Sequence, residues 1–390
     1  MNFIPYGRQD IDESDIDAVV EVLKSDFLTQ GPVVPRFERE VATYCGASHA
    51  VAMNSATSAL HVACLALGLG PGDLLWTSPI TFVASANCAL YCGAEVDFVD
   101  IDRATYNLSP EALERKLLQA ERAGRLPKIV VAVHLCGQPC DLAAIHALSQ
   151  RYGFSIIEDA SHAIGGRYQG EPIGNCRYSN VTIFSFHPVK IVTSAEGGIA
   201  VTNDAELAGR MSLLRSHGIT RDPDRMTHAP DGPWYYQQVD LGYNYRMTEL
   251  QGALGLSQMK RVDGYVQRRH QLARRYDEKL KPLPITIPWQ HPDGYSGLHL
   301  YVIRLNLAEL KGGHNKVYQA MQAQNIGVNL HYIPVHLQPY YKRMGFKPGD
   351  FPEAEAYYSE AITIPMYPKM TEAQQDHVIS ALEKALASCI

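Results

Sequence analysis

Residues 49–101, HAVAMNSATSALHVACLALGLGPGDLLWTSPITFVASANCALYCGAEVDFVDI, carry the pattern that decides the fold. HAVAMN, DLLWTSP and AEVDFVDI are short apolar runs of strand length, and TSALHVACLALGL between the first two has helical spacing. Such alternation, where it repeats along the chain, implies a mostly parallel sheet covered on both faces by helices. In GLGPGD, residues 68–73, the glycines precede a strand. A dinucleotide fingerprint must follow one, so this segment reads as a helix stop and turn.

The alternation continues outward. KIVVAVH, FSIIED, NVTIFSF and GGIAVTN read as strands, and SPEALERKLLQAERAG reads as a helix. A long basic helical stretch, GLSQMKRVDGYVQRRHQLARRYDEKL, runs into the Pro-rich KPLPITIPWQHPDG, where a domain change is expected. Beyond it LHLYVIRL reads as a strand, NKVYQAMQAQ as a helix, NIGVNLHYIPV as a strand and TEAQQDHVISALEKAL as a closing helix begun by Thr371. The expected class is α/β, with a large, mostly parallel sheet domain over residues 1–255 and a smaller α+β domain over 256–390. Ligands of such sheets sit at the carboxyl ends of the strands.

Composition narrows the function. Thirty-five Lys and Arg against 41 Asp and Glu give a net charge of -6 with no long basic run, so no nucleic-acid partner is expected. No run reaches the roughly 18 apolar residues of a membrane span. The start, MNFIPYGRQDIDESD, lacks the basic and apolar regions of a signal peptide, and a cytoplasmic protein is expected. The eight cysteines are too dispersed for a small disulfide framework. His134, Cys136 and Cys140 are the nearest approach to a metal set, but Gly137, Pro139 and the lack of a second pair argue against zinc, so no metal is expected.

Three features carry chemistry. Asp159 ends the strand FSIIE, at the ligand-binding edge, although a turn or capping aspartate is the ordinary reading of one such residue. Lys190, in FSFHPVKIVTSAEGG, has apolar neighbours. Desolvation there disfavours the ammonium form and favours an amine nucleophile; a lysine with a packed stem and a solvated head is the ordinary alternative. At residues 55–58 a strand runs into a helix start where the amides of Ala56 to Ser58 and the hydroxyls of Ser55, Thr57 and Ser58 collect, which suits a phosphate. Pyridoxal phosphate needs all three: a phosphate site, an acid for the pyridinium nitrogen and a lysine for the Schiff base. Phe82, in SPITFVASAN, offers an aromatic face for the ring or is a core side chain.

These motifs resemble the DegT/DnrJ/EryC1/StrS group of fold-type-I, pyridoxal-phosphate-dependent sugar aminotransferases. The resemblance extends from about Tyr6 to the last helix through FLTQGP, NSATSALH, SPITFVASAN, EDASHAIGG, FSFHPVKIVTSAEGG, LRSHGI, LGYNYRMTELQGALGLSQ and LHYIPVH. It implies Lys190 as the Schiff-base lysine and Asp159 as the pyridinium partner. It also implies that Ala56, Thr57 and Ser185 hold the phosphate, that His162 lies near the ring hydroxyl and that Asn244 reaches the cofactor of a neighbouring subunit in a homodimer. Tyr6, Asp26, Phe27, Leu28, Thr29, Leu330, His331, Tyr332 and Ile333 would border a nucleotide-sugar, with Ala56, Ser185 and Asn244 near it.

Within the group, Ala56 and His162, where many relatives have Gly and Gln, are similar to the subgroup of pseudaminic acid biosynthesis. That likeness implies transfer of an amino group from L-glutamate to C4 of a UDP-4-keto-6-deoxy-N-acetylhexosamine, through pyridoxal and pyridoxamine phosphate. Lys190 stands where dehydratase relatives carry histidine, which implies transamination. Another nucleotide-linked 4-keto sugar, a lyase acting on amino acids and a catalytically silent scaffold are the alternatives, the last opposed by the intact Lys190 and Asp159. Arg246 is a candidate for a glutamate carboxylate or an interface arginine.

Overall fold

The computed structural model describes residues 2–389. Seven strands form its main sheet: β1 His49–Met53, β2 Leu74–Thr77, β3 Glu95–Phe98, β4 Ile129–Val133, β5 Ser155–Asp159, β6 Val181–Ser185 and β7 Gly198–Thr202. Their order is β1-β7-β6-β5-β4-β2-β3. The pairs from β3 to β6 are parallel, while β7 runs antiparallel to both neighbours. A parallel return needs a crossover, usually a helix, and residues 186–197 between β6 and β7 form none, so the chain turns back on itself.

Both faces of the sheet are buried. Met53, Leu75, Val131, Ile157 and Ile183 enter one apolar cluster, and their neighbours Ala52, Trp76, Val130, Ile156 and Phe184 enter the other. This follows from the two-residue repeat of a strand, and it explains why these runs are apolar throughout rather than alternating.

A smaller antiparallel sheet, β8 Ile285–Thr286, β9 Tyr301–Leu305 and β10 Ala361–Ile364, packs against helices Gly313–Ala323 and Glu372–Ala387. Thr371 opens the latter with a capping box. Helix Val262–Leu280 spans two cores: Val262, Tyr265 and Val266 pack with the large sheet, and Leu272, Tyr276 and Leu280 with the small one. Ile4 joins the small core, and its amide and carbonyl pair with Asn325 and Gly327, which carries Tyr6 toward the junction of the two layers.

Two readings of the sequence need correction. The basic helical stretch is two helices, Glu249–Met259 and Val262–Leu280. The chain breaks direction at Arg261, whose guanidinium is held by Asp12 and Asp15 at the start of helix Glu13–Leu23. NIGVNLHYIPV is not a strand. It makes only single bridges, Ile326 to Ile4 and Asn329 to Thr363, before Pro334 removes a donor and a tight turn follows at Val335–Leu337. Freed from a sheet, Leu330 to Tyr332 reach the site described next. Among the described residues, no helix is long and apolar enough to cross a membrane.

Candidate active site

The carboxyl ends of β4, β5 and β6 open onto a cavity of about 600 Å³. Register aligns Val133 with Asp159 and Asp159 with Ile183, so the acid closes the central strand at the cavity floor. Ala56, Thr57, Phe82, Asp159, His162, Ser185 and Lys190 line this cavity from the large layer. Tyr6, Leu330, His331 and Tyr332 close it from the side of the small one.

One corner suits an anion. Helix Ala56–Ala66 begins here, with Ser55 as N-cap accepting the Ser58 amide at 3.1 Å. The Ser58 hydroxyl is spent on Asn54 at 2.6 Å, so of the three hydroxyls expected to collect here only Thr57 is left uncommitted. Strand pairing sets Ser185 and Met53 on either side of Gly198. A β-carbon on Gly198 would lie 2.3 Å from the Ala56 nitrogen. Glycine therefore allows the sheet to press against the helix start, and Ser185, Ala56 and Thr57 converge with first-turn amides that no helix carbonyl can satisfy.

Asp159 is buried, and both of its oxygens accept hydroxyl hydrogen bonds. Its Oδ1 accepts the Ser161 hydroxyl at 2.6 Å and the Ser161 amide at 3.2 Å. Its Oδ2 accepts the Ser85 hydroxyl at 2.5 Å. No cationic side chain of the described residues pairs with it. A carboxylate held this way suits a cationic ring nitrogen.

Lys190 lies beyond β6, not at the strand end, in a turn closed by its amide on the His187 carbonyl at 2.9 Å. Burial pushes its amine down to about 8 from 10.5, against the opposing pull of Asp159. Three histidines surround this region. Burial, then the Lys190 charge, hold His162 well below 6.5; burial and Lys190 lower His331 to about 3. His299, its ring centroid 4.5 Å from that of His162, is lowered in the same way, and its Nδ1 is buried without a partner. Arg269 fixes the backbone there by donating to the carbonyls of Leu298 and His299 at 3.3 and 2.9 Å. The imidazoles are thus neutral donors and acceptors beside one poised amine.

Other residues singled out from the sequence do not line the single-chain cavity. Asp26, Phe27, Leu28 and Thr29 are exposed in the loop before helix Val33–Cys45; the Leu28 carbonyl accepts the Glu249 amide, and Thr29 bridges to Thr248. Asn244 is exposed and bridges to Ser216, Arg246 bridges to Met53, and Ile333 is exposed. Thr81, Ser85, Ser161 and His299 were not singled out. Ser161 had a local signal, since an Asp followed two residues later by Ser favours a turn that returns the hydroxyl to the carboxylate. The others meet the site only through tertiary packing.

His134 and Cys140 serve a different end. His134 Nδ1 accepts the Cys140 amide at 3.0 Å, and Nε2 meets Glu158 at 2.8 Å, with Ser179 and Thr182 donating to the other Glu158 oxygen. Cys136 donates its amide to His162 at 3.2 Å. Among the described residues no group of three or more His, Cys, Asp or Glu is arranged to hold a metal.

The sequence profile of the DegT/DnrJ/EryC1/StrS aminotransferase family matches residues 9–383. The spore coat polysaccharide biosynthesis protein SpsC of Bacillus subtilis (strain 168) is 39% identical over 384 residues, 98% of this chain and 96% of its own. Among solved structures, Helicobacter pylori PseC, an aminotransferase involved in pseudoaminic acid biosynthesis, superposes with a TM-score of 0.90 at 31% identity, covering 99% of this chain and 100% of that one. Spr1654 from Streptococcus pneumoniae, in its PLP form, gives 0.89 at 28% identity over 100% of both chains. The anion corner, the hydroxyl-bonded acid and the depressed lysine fit the phosphate, ring nitrogen and aldehyde of that cofactor. The chain belongs to the DegT/DnrJ/EryC1/StrS aminotransferase family and is a fold-type-I sugar aminotransferase dependent on pyridoxal phosphate.

Proposed function

We propose that this enzyme moves the amino group of L-glutamate to C4 of a UDP-linked 4-keto-6-deoxy-N-acetylhexosamine, a step in making pseudaminic acid. The observation that carries the amino-transfer reading is Lys190, its amine lowered to about 8 and facing the same cavity as Asp159. The choice of sugar draws support from the likeness to PseC, a protein of that pathway, over nearly the whole chain.

When bound, pyridoxal phosphate supplies an electron sink for negative charge developing on a substrate carbon. The chain supplies the rest. The amides of Ala56 and Thr57 and the Ser185 hydroxyl hold the phosphate, and Asp159 accepts the hydrogen bond of the ring nitrogen. Phe82 would offer its ring to one face, and His162, whose Nε2 proton goes to Tyr332, would lie near the ring hydroxyl. The Lys190 amine would take a proton from the α-carbon of glutamate and later deliver one to sugar C4. Because Lys190 reaches from one side only, the new amine has one configuration.

Tyr6, the segment Asp26 to Thr29 and Leu330 to Ile333 around His331 border the nucleotide-sugar in this reading. Asn244 serves the neighbouring subunit's site in a cytoplasmic homodimer. Exposed Phe27 and Leu28 beside the Asp26–Thr29 bend accord with a surface that a second subunit covers.

The test is incubation of the purified protein with pyridoxal phosphate, L-glutamate and the UDP-4-keto sugar, read by mass spectrometry. Appearance of the UDP-4-amino sugar with an equal amount of 2-oxoglutarate supports the proposal. Amination only of a sugar on another nucleotide would move the substrate, and elimination from an amino acid without sugar would make the protein a lyase.

A further inference from the structure

The Asp159 carboxylate is the end of a chain of hydroxyls that no step above uses. Ser85 Oγ lies 2.5 Å from Oδ2 of Asp159 and 2.7 Å from Oγ1 of Thr81. An ionised carboxylate only accepts, so Ser85 spends its proton on Asp159 and must accept the proton of Thr81. The direction is therefore fixed: Thr81 donates to Ser85, and Ser85 to Asp159. All three side chains are buried, with Ser85 at 0%, Thr81 at 2% and Asp159 at 6% exposure.

Helix capping does not explain this pair. Ser85 is in the first turn of helix Ala84–Tyr91, whose N-terminus has no side-chain cap. Neither hydroxyl caps the helix: Thr81 bonds Ser85, and Ser85 bonds the acid. Burying hydroxyls around one oxygen of a carboxylate is costly unless each is paired, and here each is. Bonds in such a chain polarise one another, so the terminal bond to the carboxylate gains from the Thr81 proton behind it.

We infer that Thr81 and Ser85 are positioning residues that fix the Asp159 carboxylate for the ring nitrogen of the cofactor. This rests on the role proposed for Asp159. Ser161 holds Oδ1 from the opposite side, so the two serines orient the carboxylate plane between them. The relay touches neither the phosphate corner nor Lys190, and its loss is felt at the ring nitrogen.

The experiment measures cofactor affinity of the purified full chain by absorbance titration. Two ligands are used: pyridoxal phosphate and its 1-deaza analogue, in which a C–H replaces the ring nitrogen. Ser85→Ala should weaken pyridoxal phosphate about 10-fold and the deaza analogue less than about 2-fold, the size expected for one hydrogen bond to a charged group. Thr81→Val, nearly isosteric, should weaken pyridoxal phosphate about 3-fold by removing the polarising partner. Ser85→Thr, which restores a hydroxyl, should recover part of the loss. In an Asp159→Asn background, Ser85→Ala should add nothing.

Equal weakening of both ligands by Ser85→Ala, or an unchanged affinity, overturns the relay in favour of simple packing. Thr81→Val keeps the test open should Ser85→Ala fold poorly, with thermal melts of each variant as the control. Asp159→Asn distinguishes the two levels. If it weakens both ligands equally, Asp159 does not read the ring nitrogen and the relay falls with it. If it discriminates while Ser85→Ala does not, only the relay falls.

Discussion

Tyr332 Oη lies 3.2 Å from Nε2 of His162, whose Nδ1 already accepts the Cys136 amide at 3.2 Å. The proton of His162 is therefore on Nε2 and is donated to Tyr332, which leaves the Tyr332 proton for an acceptor inside the cavity. Because burial and the Lys190 charge hold His162 well below 6.5, the ring is neutral at neutral pH. His162→Gln keeps a donor and an acceptor and should retain rate within about 3-fold, whereas His162→Leu should lose about 30-fold, the scale of an unpaired buried group. Single-turnover rates with glutamate, measured from pH 6 to 9, check this. An inflection near pH 6.5 that disappears in His162→Gln would contradict the neutral assignment.

Gly198→Ala tests the phosphate corner. The added methyl would fall 2.3 Å from the Ala56 nitrogen, so the helix start must move. Affinity for pyridoxal phosphate should fall at least about 10-fold, the scale of losing one charge-assisted hydrogen bond to the phosphate. Binding of pyridoxal, which lacks the phosphate, should change far less. Equal losses for the two ligands, seen by absorbance titration, would place the damage elsewhere.

Lys190 should show its lowered value in the cofactor-free protein. Reductive methylation followed by peptide mass spectrometry should give a midpoint near 8 for this residue, while exposed lysines follow the ordinary value. Between about 8 and 10.5 the unfolded chain binds the proton that the folded chain has released, so the fold gains stability as pH rises through that window. Lys190→Met should flatten this rise. A methylation midpoint above 10 would remove the case for a poised amine.

Behind the acid, His134 and Glu158 form a buried pair with 0% and 2% side-chain exposure. Glu158 is followed directly by Asp159 in β5, and the His134 amide donates to the Asp159 carbonyl at 3.1 Å. Glu158→Ala strands His134 and two hydroxyls, and a loss of about 3 to 5 kcal/mol is expected. Glu158→Gln, which keeps acceptors for Ser179 and Thr182, should cost less. Chemical denaturation measures both, and equal stability of Glu158→Ala and the parent would refute the structural role.

The strands were legible because residues such as Ile129, Val130 and Val131 face apolar layers on both sides, which leaves a continuous apolar run in the sequence. Asp159 and Lys190 could be singled out because each follows such a run. The segment NIGVNLHYIPV misled for the same reason: Ile326 and Val328 are apolar because they pack in the small core, not because the segment is paired along its length. The stop at Arg261 depends on Asp12 and Asp15, far away in the chain, and no local signal reports it. Ser85 and His299 were illegible likewise, since what gives each its place is a partner brought by folding: Asp159 for one, Arg269 behind the other.

The most direct test of Lys190 as the amine that receives the cofactor and moves the proton is the visible spectrum of the purified protein with pyridoxal phosphate, before and after L-glutamate. The parent should show a yellow Schiff-base band that glutamate bleaches and the 4-keto sugar restores, and Lys190→Met should show neither change. A glutamate-bleachable band that persists at full rate in Lys190→Met, or no band in the parent, would contradict the assignment.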